Sequence, residues 1–266
     1  FASKLAQHGS IYLNDAFGTA HREHASNAGI TKYFTTKGMG LLTEKEMEFL
    51  SENISDSEGP VSLVIGGAKI DTKINVIKHF FDIADNILIG GAMANTFLAA
   101  NKYDMGKSLV QIDEIDAAKK LMLMASKSKT NIILPLDFNG ELNTFGSGKL
   151  HYATNDKVKK SMICEDIGEL SIKLFTDIIK ESKTVFWNGT LGVAENKDFA
   201  IGTNKIIDTI IDTDCNSIVG GGDTIAAIRN YKKGIVEEFS HASTGGGSCL
   251  ELLSGNRLLA IEMLKK

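Results

Sequence analysis

Glycines gathered behind short apolar runs constrain this chain more than any other feature. Val61–Ile65 leads into Gly66-Gly67, Ile87–Ile89 into Gly90-Gly91, Ser217–Val219 into Gly220-Gly221-Gly222, and Phe239–Thr244 into Gly245-Gly246-Gly247. Two more β-like runs end in polar turns: Ile132–Leu136 before Asp137, and Thr184–Trp187 before Asn188-Gly189. The segments between them are long enough for helices and repeat apolar residues every three or four positions, as at Ile74, Ile77, Phe80 and Phe81, and at Ala117, Leu121 and Ala125. Strand, glycine turn and helix in alternation predict an α/β fold, a doubly wound parallel sheet with helices on both faces. At 266 residues, 43% hydrophobic and 23% charged, the chain holds one large domain, or a domain plus part of another.

In open sheets of this kind, ligands sit beyond the carboxyl ends of the strands. A glycine there lets backbone N–H groups approach a phosphate, and a helix start adds partial positive charge. One such turn is usually structural; four in one sheet point to a phosphate ligand. Two common phosphate motifs fail. A phosphate-binding loop ending in Gly106-Lys107-Ser108 would need glycine at Asn101, so that string reads as a helix-to-loop turn. A dinucleotide fingerprint would need glycine or alanine at Ile225 or Leu250, which disfavours a dehydrogenase.

Lys69 and Lys73 follow Gly66-Gly67, and their four-residue spacing places them on one side of a turn that opens a helix. They read either as solvated surface lysines or as cations for a phosphoryl group, whose transfer depends on neutralising spread negative charge. Gly221, Gly222, Asp223 and Thr224 open a helix whose first N–H groups suit phosphates; Asp223 also suits an N-cap. A net charge of −4 argues against nucleic-acid or membrane-surface partners, and no apolar run has the length of a membrane span. Cys164, Cys215 and Cys249 have no metal-type spacing and read as reduced thiols of a cytoplasmic protein. Phe1 is no initiator and no signal peptide opens the chain, so a truncated start is expected.

Longer strings go further. NDAFGTAHREHAS (Asn14–Ser26), GGAKIDTKI (Gly66–Ile74), WNGTLGVAE (Trp187–Glu195), GGGDT (Gly220–Thr224) and STGGGS (Ser243–Ser248) together resemble the phosphoglycerate kinase family, in its order and spacing. The resemblance covers the whole chain. It implies reversible phosphoryl transfer from 1,3-bisphosphoglycerate to MgADP, giving 3-phosphoglycerate and MgATP, in a cytoplasmic enzyme that is a monomer when full length. It implies residues 1–35 as the end of an acid-binding N-terminal domain, 36–54 as an interdomain helix, 55–253 as the nucleotide domain, and 254–266 as a tail returning to the N-terminal domain. Thus a remnant of a second α/β domain accompanies the nucleotide domain.

The resemblance also distributes roles. Lys73 goes to the nucleotide phosphates and Lys69 to the transferring group; with Gly222 and Gly246 they form the catalytic set. Gly221, Gly222, Asp223 and Thr224 cradle the nucleotide phosphates, and Asp223 reaches the Mg²⁺ ion. Gly90, Gly91 and Ala92 line the base pocket, with Asn188 and Gly189 nearby, and Glu195 holds the ribose hydroxyls. His21 and Arg22 belong to the patch for the acid's phosphate, where an arginine fork grips two oxygens.

Departures cluster near the purine pocket. Thr190 stands where the family has proline, Ala194 where it has phenylalanine, Cys164-Glu165-Asp166 where it has Gly-Leu-Asp, and Glu169 where it has proline. In the tail, Leu258-Leu259-Ala260 replaces Leu-Pro-Gly. The family's early Asp-x-Asn, transfer arginine and His-x-x-Arg would precede Phe1. The chain alone is therefore expected to be catalytically incompetent; the alternative is a non-catalytic nucleotide-binding fragment.

Overall fold

The apolar runs become strands, and the periodic segments become the helices that cover them. The computed structural model describes residues 1–143, 145 and 148–265, the Glu52 side chain excepted. The chain begins with α1 (Ala2–Ala6), β1 (Ile11–Asn14), β2 (Thr36–Met39) and α2 (Leu41–Ser55). Then come β3 (Val61–Ile65), α3 (Ile74–Phe80), β4 (Asn86–Ile89), α4 (Gly91–Ala100), α5 (Ile115–Ala125) and β5 (Asn131–Ile133). Three strands follow without an intervening helix: β6 (Asp137–Leu142), β7 (Lys149–Thr154) and β8 (Met162–Ile167). The chain continues with α6 (Glu169–Lys180), β9 (Thr184–Asn188), α7 (Ile201–Ile211), β10 (Asn216–Gly220), α8 (Gly222–Tyr231) and β11 (His241–Ser243), and closes with α9 (Gly247–Leu253) and α10 (Leu259–Leu264).

Packing divides the chain into two units, Phe1–Ser57 with Ser243–Lys266, and Glu58–Ala242. In the first, β1 pairs in parallel with β2. Phe17, Ala20, Leu50, Leu253, Leu258 and Ile261 are buried there, and the Ala260 N–H donates to the Ala20 carbonyl.

The second unit is built on a six-stranded sheet in the order β11-β10-β9-β3-β4-β5. The pairs from β10 to β5 are all parallel. From β3 the chain winds outward through β4 to β5, then returns to β9 on the other side of β3 and winds outward to β10 and β11. The sheet is thus doubly wound, with its switch point between β3 and β9. Every residue of β3 and β9 is buried, the pattern of strands covered on both faces. Val64, Leu88, Trp187 and Val219 face one core, shared with Phe175 and Ile179 of α6, Ile206 and Ile210 of α7, and Ile228 of α8. Phe186 points the other way and meets Phe80 of α3 edge-on, ring centres 5.1 Å apart.

Three sequence expectations differ in detail. The run Ile132–Leu136 breaks, because Pro135 has no N–H to give a ladder; β5 ends at Ile133 and β6 starts a separate sheet at Asp137. The run Phe239–Thr244 shortens to His241–Ser243. On α5 the buried face is Ala118, Leu121 and Ala125, with Ala117 half-buried. The separate sheet is antiparallel, order β7-β6-β8, and its Phe138, Ala153, Met162 and Cys164 pack with Leu98 and Met105.

Candidate nucleotide site

The strand register lines up the carboxyl ends. Ile65 stands opposite both Asn188 and Ile89, and Gly220 stands opposite Asn188. The turns after β3, β4, β9 and β10 therefore open at one edge, around the switch point where such sheets take ligands. They are laced by backbone: the Gly66 N–H donates to Asn188 at 3.0 Å, Gly67 to Thr190 at 2.8 Å, Gly91 to Leu191 at 2.9 Å and Met93 to Gly67 at 3.0 Å.

The lacing separates two kinds of glycine. A Cβ on Gly66 would lie 2.1 Å from the Thr190 carbonyl oxygen, and one on Gly91, at φ +63°, 2.6 Å from the Gly67 nitrogen. These glycines serve loop-to-loop contact. Beside Gly67 and Gly222 a Cβ would meet nothing within 4 Å, so a ligand can come up to that backbone.

Lys73 caps the start of α3 and is half-buried; its ammonium donates to the side-chain oxygen of Asn188, which is buried at the end of β9. The Asn188 amide lies against Gly221, which takes φ +99°. The Thr224 hydroxyl is fully buried and accepts the Gly189 N–H at 2.7 Å. Lys73, Asn188, Gly189, Gly221 and Thr224 are thus joined by direct contacts. The Thr224 hydroxyl is engaged within the protein, so Thr224 offers a ligand its backbone N–H. Asp223 is not the cap: Gly221 holds that position, and the Asp223 carboxylate is exposed in the first turn of α8. Lys69 is also exposed, in the turn ahead of α3.

A cavity of about 530 Å³ opens among these turns. Gly67, Gly91, Ala92, Thr190, Glu195 and Asp223 line it from the strand ends. Gly90 is set back, its α-carbon packed against Leu191. The opposite wall comes from Cys164, Glu165 and Asp166 of β8, the string that the resemblance put near the purine pocket, and from Ile163 beside them and Phe138 of β6, which the sequence did not disclose. Asn95, Lys107 and Leu109 complete it.

The two wall carboxyls differ in use. Burial pushes Asp166 up to about 7, opposed by backbone N–H groups of Gly202, Ile167 and Ile201. It accepts Gly202 at 2.8 Å and Ile167 at 2.9 Å, so it ties β8 to the start of α7. Burial, then the charge of Glu141, also pushes Glu165 up to about 7, and its Oε2 has no hydrogen-bond partner among the described residues. Burial pushes the Cys164 thiol up to about 11.

His21, Arg22 and Gly246 lie in the first unit. The His21 ring packs against Gly247 and its Nδ1 is 2.9 Å from the Ser248 hydroxyl, while the Arg22 Nε–H donates to His21 Nε2 at 3.2 Å. Gly246, at φ +50°, has open space beside it. These three residues therefore gather at the glycine turn before α9.

A family model described as phosphoglycerate kinase matches residues 1–256. The chain belongs to the phosphoglycerate kinase family. Its relatives include the phosphoglycerate kinases of Dictyoglomus turgidum, 42% identical over 266 residues, and Akkermansia muciniphila, 40% identical over 270 residues; the alignments cover 100% and 99% of this chain. The chain spans 66% of the length of these curated relatives. The solved structure of phosphoglycerate kinase from Coxiella burnetii superimposes with a TM-score of 0.92 at 34% identity, over 99% of this chain and 67% of that one. That from Pyrococcus horikoshii gives 0.87 at 29% identity, over 99% and 65%. Both likenesses carry the α/β phosphoglycerate kinase fold.

Proposed function

We propose that this chain supplies the nucleotide side of a phosphoglycerate kinase, which moves a phosphoryl group between 1,3-bisphosphoglycerate and a magnesium nucleoside diphosphate of the ADP type. The supporting observation is that one edge of in-register strand ends carries the Lys73–Asn188 pair, the open backbone at Gly67 and Gly222, and a cavity lined by Gly67 and the exposed Asp223 carboxylate. In the reaction a terminal oxygen of the diphosphate attacks the acyl-phosphate phosphorus. The new P–O bond forms as the bond to the acyl oxygen breaks, and 3-phosphoglycerate leaves as a carboxylate. Charge spreads over the phosphoryl oxygens in transit, so the protein's task is positioning and neutralisation.

Lys73 and the first N–H groups of α8 hold the diphosphate, with Gly221 and Thr224 contributing backbone. Lys69 meets the group in transit. Ala92 and Gly91 leave room for the base beside Gly90, and Glu195 accepts from the ribose hydroxyls. His21 and Arg22 take the acid's phosphate, and the Gly246 turn meets the phosphoryl group. Among the described residues no cluster of three or more His, Cys, Asp or Glu can hold a metal by itself. One exposed aspartate beside a phosphate site suits Mg²⁺, which takes few carboxylates and completes its shell with phosphate oxygens and water. Asp223 would hold it, and the ion would screen the phosphate charge.

No helix of the described residues is long and apolar enough to cross a membrane. Calorimetric titration with MgADP, and then with NAD, tests the reading. Binding of the magnesium nucleotide with NAD inert is expected; tighter binding of NAD would overturn it.

A further inference from the structure

The wall opposite the strand ends carries two buried oxygens without a hydrogen-bond partner among the described residues. Asn95 is 1% exposed and its Oδ1 has no hydrogen-bond partner among the described residues, although its Nδ2 donates to the Leu109 carbonyl at 3.3 Å. Glu165 is 6% exposed, and its Oε2 is likewise unpartnered. Both residues line the cavity. Glu165 is there because of a bulge: Asn139 pairs with Asp166 and Gly140 with Cys164, which leaves Glu165 as the extra residue of β8. A buried carboxylate oxygen without a donor is costly, and such an atom in a ligand cavity calls for a donor on the ligand.

The rest of that wall says what kind of ligand. Leu109, Phe138, Ile163, Leu191 and Val193 give it an apolar surface suited to a planar ring. Both unsatisfied atoms are acceptors once Glu165 is ionised, so they want a ring whose edge presents N–H groups. Guanine offers a ring N1–H beside a 2-amino group, two parallel donors that match the two oxygens of a carboxylate. Adenine offers one amino group beside a bare ring nitrogen, whose lone pair repels a carboxylate. We propose that the base pocket of this chain selects guanine over adenine, with Glu165 accepting from the N1–H and 2-amino edge and Asn95 supplying a further acceptor. The proposal rests on the nucleotide reading of the cavity and makes the nucleotide a guanosine phosphate. A site built to hydrogen-bond an N–H rejects the analogue that lacks it, because the buried acceptor is then stranded.

The test is calorimetric titration of the chain with MgGDP and with MgADP, repeated on Glu165→Leu and Glu165→Gln. MgGDP binding at least tenfold tighter than MgADP is expected. Glu165→Leu removes that preference and raises the melting temperature, because a stranded carboxylate is gone; Glu165→Gln, with one acceptor and one donor, keeps only part of it. MgADP binding as tightly as MgGDP in the unsubstituted chain overturns the guanine assignment and leaves the nucleotide site standing. Binding of neither overturns both. The comparison in the unsubstituted chain holds whether or not the variants fold.

Discussion

Thr224→Val tests whether the turn after β9 is held by one buried hydroxyl. Valine has nearly the volume of threonine, so no cavity opens. What is lost is the acceptor that the Gly189 N–H meets at 2.7 Å, inside a residue with no exposure. The turn cannot swing to another partner: Gly189 already holds φ +97°, and a Cβ there would lie 2.2 Å from the Gly66 carbonyl oxygen. Stranding a buried N–H costs about 1–3 kcal/mol, so urea unfolding should show a loss in that range. Thr224→Ser keeps the acceptor and loses a methyl, for about 0.8 kcal/mol. Amide exchange at Gly189 separates the two variants: the valine variant should lose protection there and the serine variant keep it. Unchanged protection in Thr224→Val, with stability within about 0.5 kcal/mol of the parent, would refute the tie.

Lys73→Ala should weaken magnesium nucleotide binding about ten- to a hundredfold, the worth of one charge-assisted phosphate contact of roughly 1.5–3 kcal/mol, while Lys69→Ala spares it; equal losses in calorimetry would contradict the division of roles. Gly222→Ala should leave the melting temperature unchanged or higher, since its Cβ would meet nothing within 4 Å, yet lower nucleotide affinity at least about tenfold by blocking the approach of a phosphate. Asp166 gives a pH signature. Its carboxyl sits at about 7 in the folded chain against 3.8 as reference, so its neutral form is favoured by folding. The stability that this contributes is present below about 4 and is lost as pH rises towards 7, by up to about 4 kcal/mol. The stability of Asp166→Asn relative to the parent should therefore climb across that range and level off above it; a constant difference from pH 4 to 8 would show that the group does not titrate high.

The sheet was legible because four of its six strands announce themselves twice, by an apolar run and by the glycine cluster that ends it. The turns named their edge of the sheet and put Lys73 and Asp223 there, while Ala92 and Glu195 were assigned to it only through the family resemblance. Division of labour among the glycines was not legible. Gly66 and Gly67 are the same letters, yet one is packed against the Thr190 carbonyl and the other faces open space, a difference made by a loop more than a hundred residues away. The sheet behind the far wall was hidden for a related reason. β6, β7 and β8 lack the clustered glycines that end four strands of the six-stranded sheet, and hold their places by antiparallel pairing that no single segment encodes. The resemblance put Glu165 near the purine pocket, but only the bulge opposite Gly140 shows it as the extra residue of β8 and a wall of the cavity. Thr224 carries a second role that its string did not show: beside the backbone N–H read as suiting a phosphate, its hydroxyl holds a neighbouring turn.

The proposed function places a magnesium nucleoside diphosphate over the carboxyl ends of β3, β4, β9 and β10. Backbone amide shifts followed by NMR during titration test it most directly, with MgGDP and MgADP in separate runs and NAD as the control. Large, saturable shifts are expected at Gly67, Ala92 and Gly221–Thr224 with at least one magnesium nucleotide, and none with NAD. Shifts confined to other parts of the chain, or saturation by NAD at these amides, would contradict that placement.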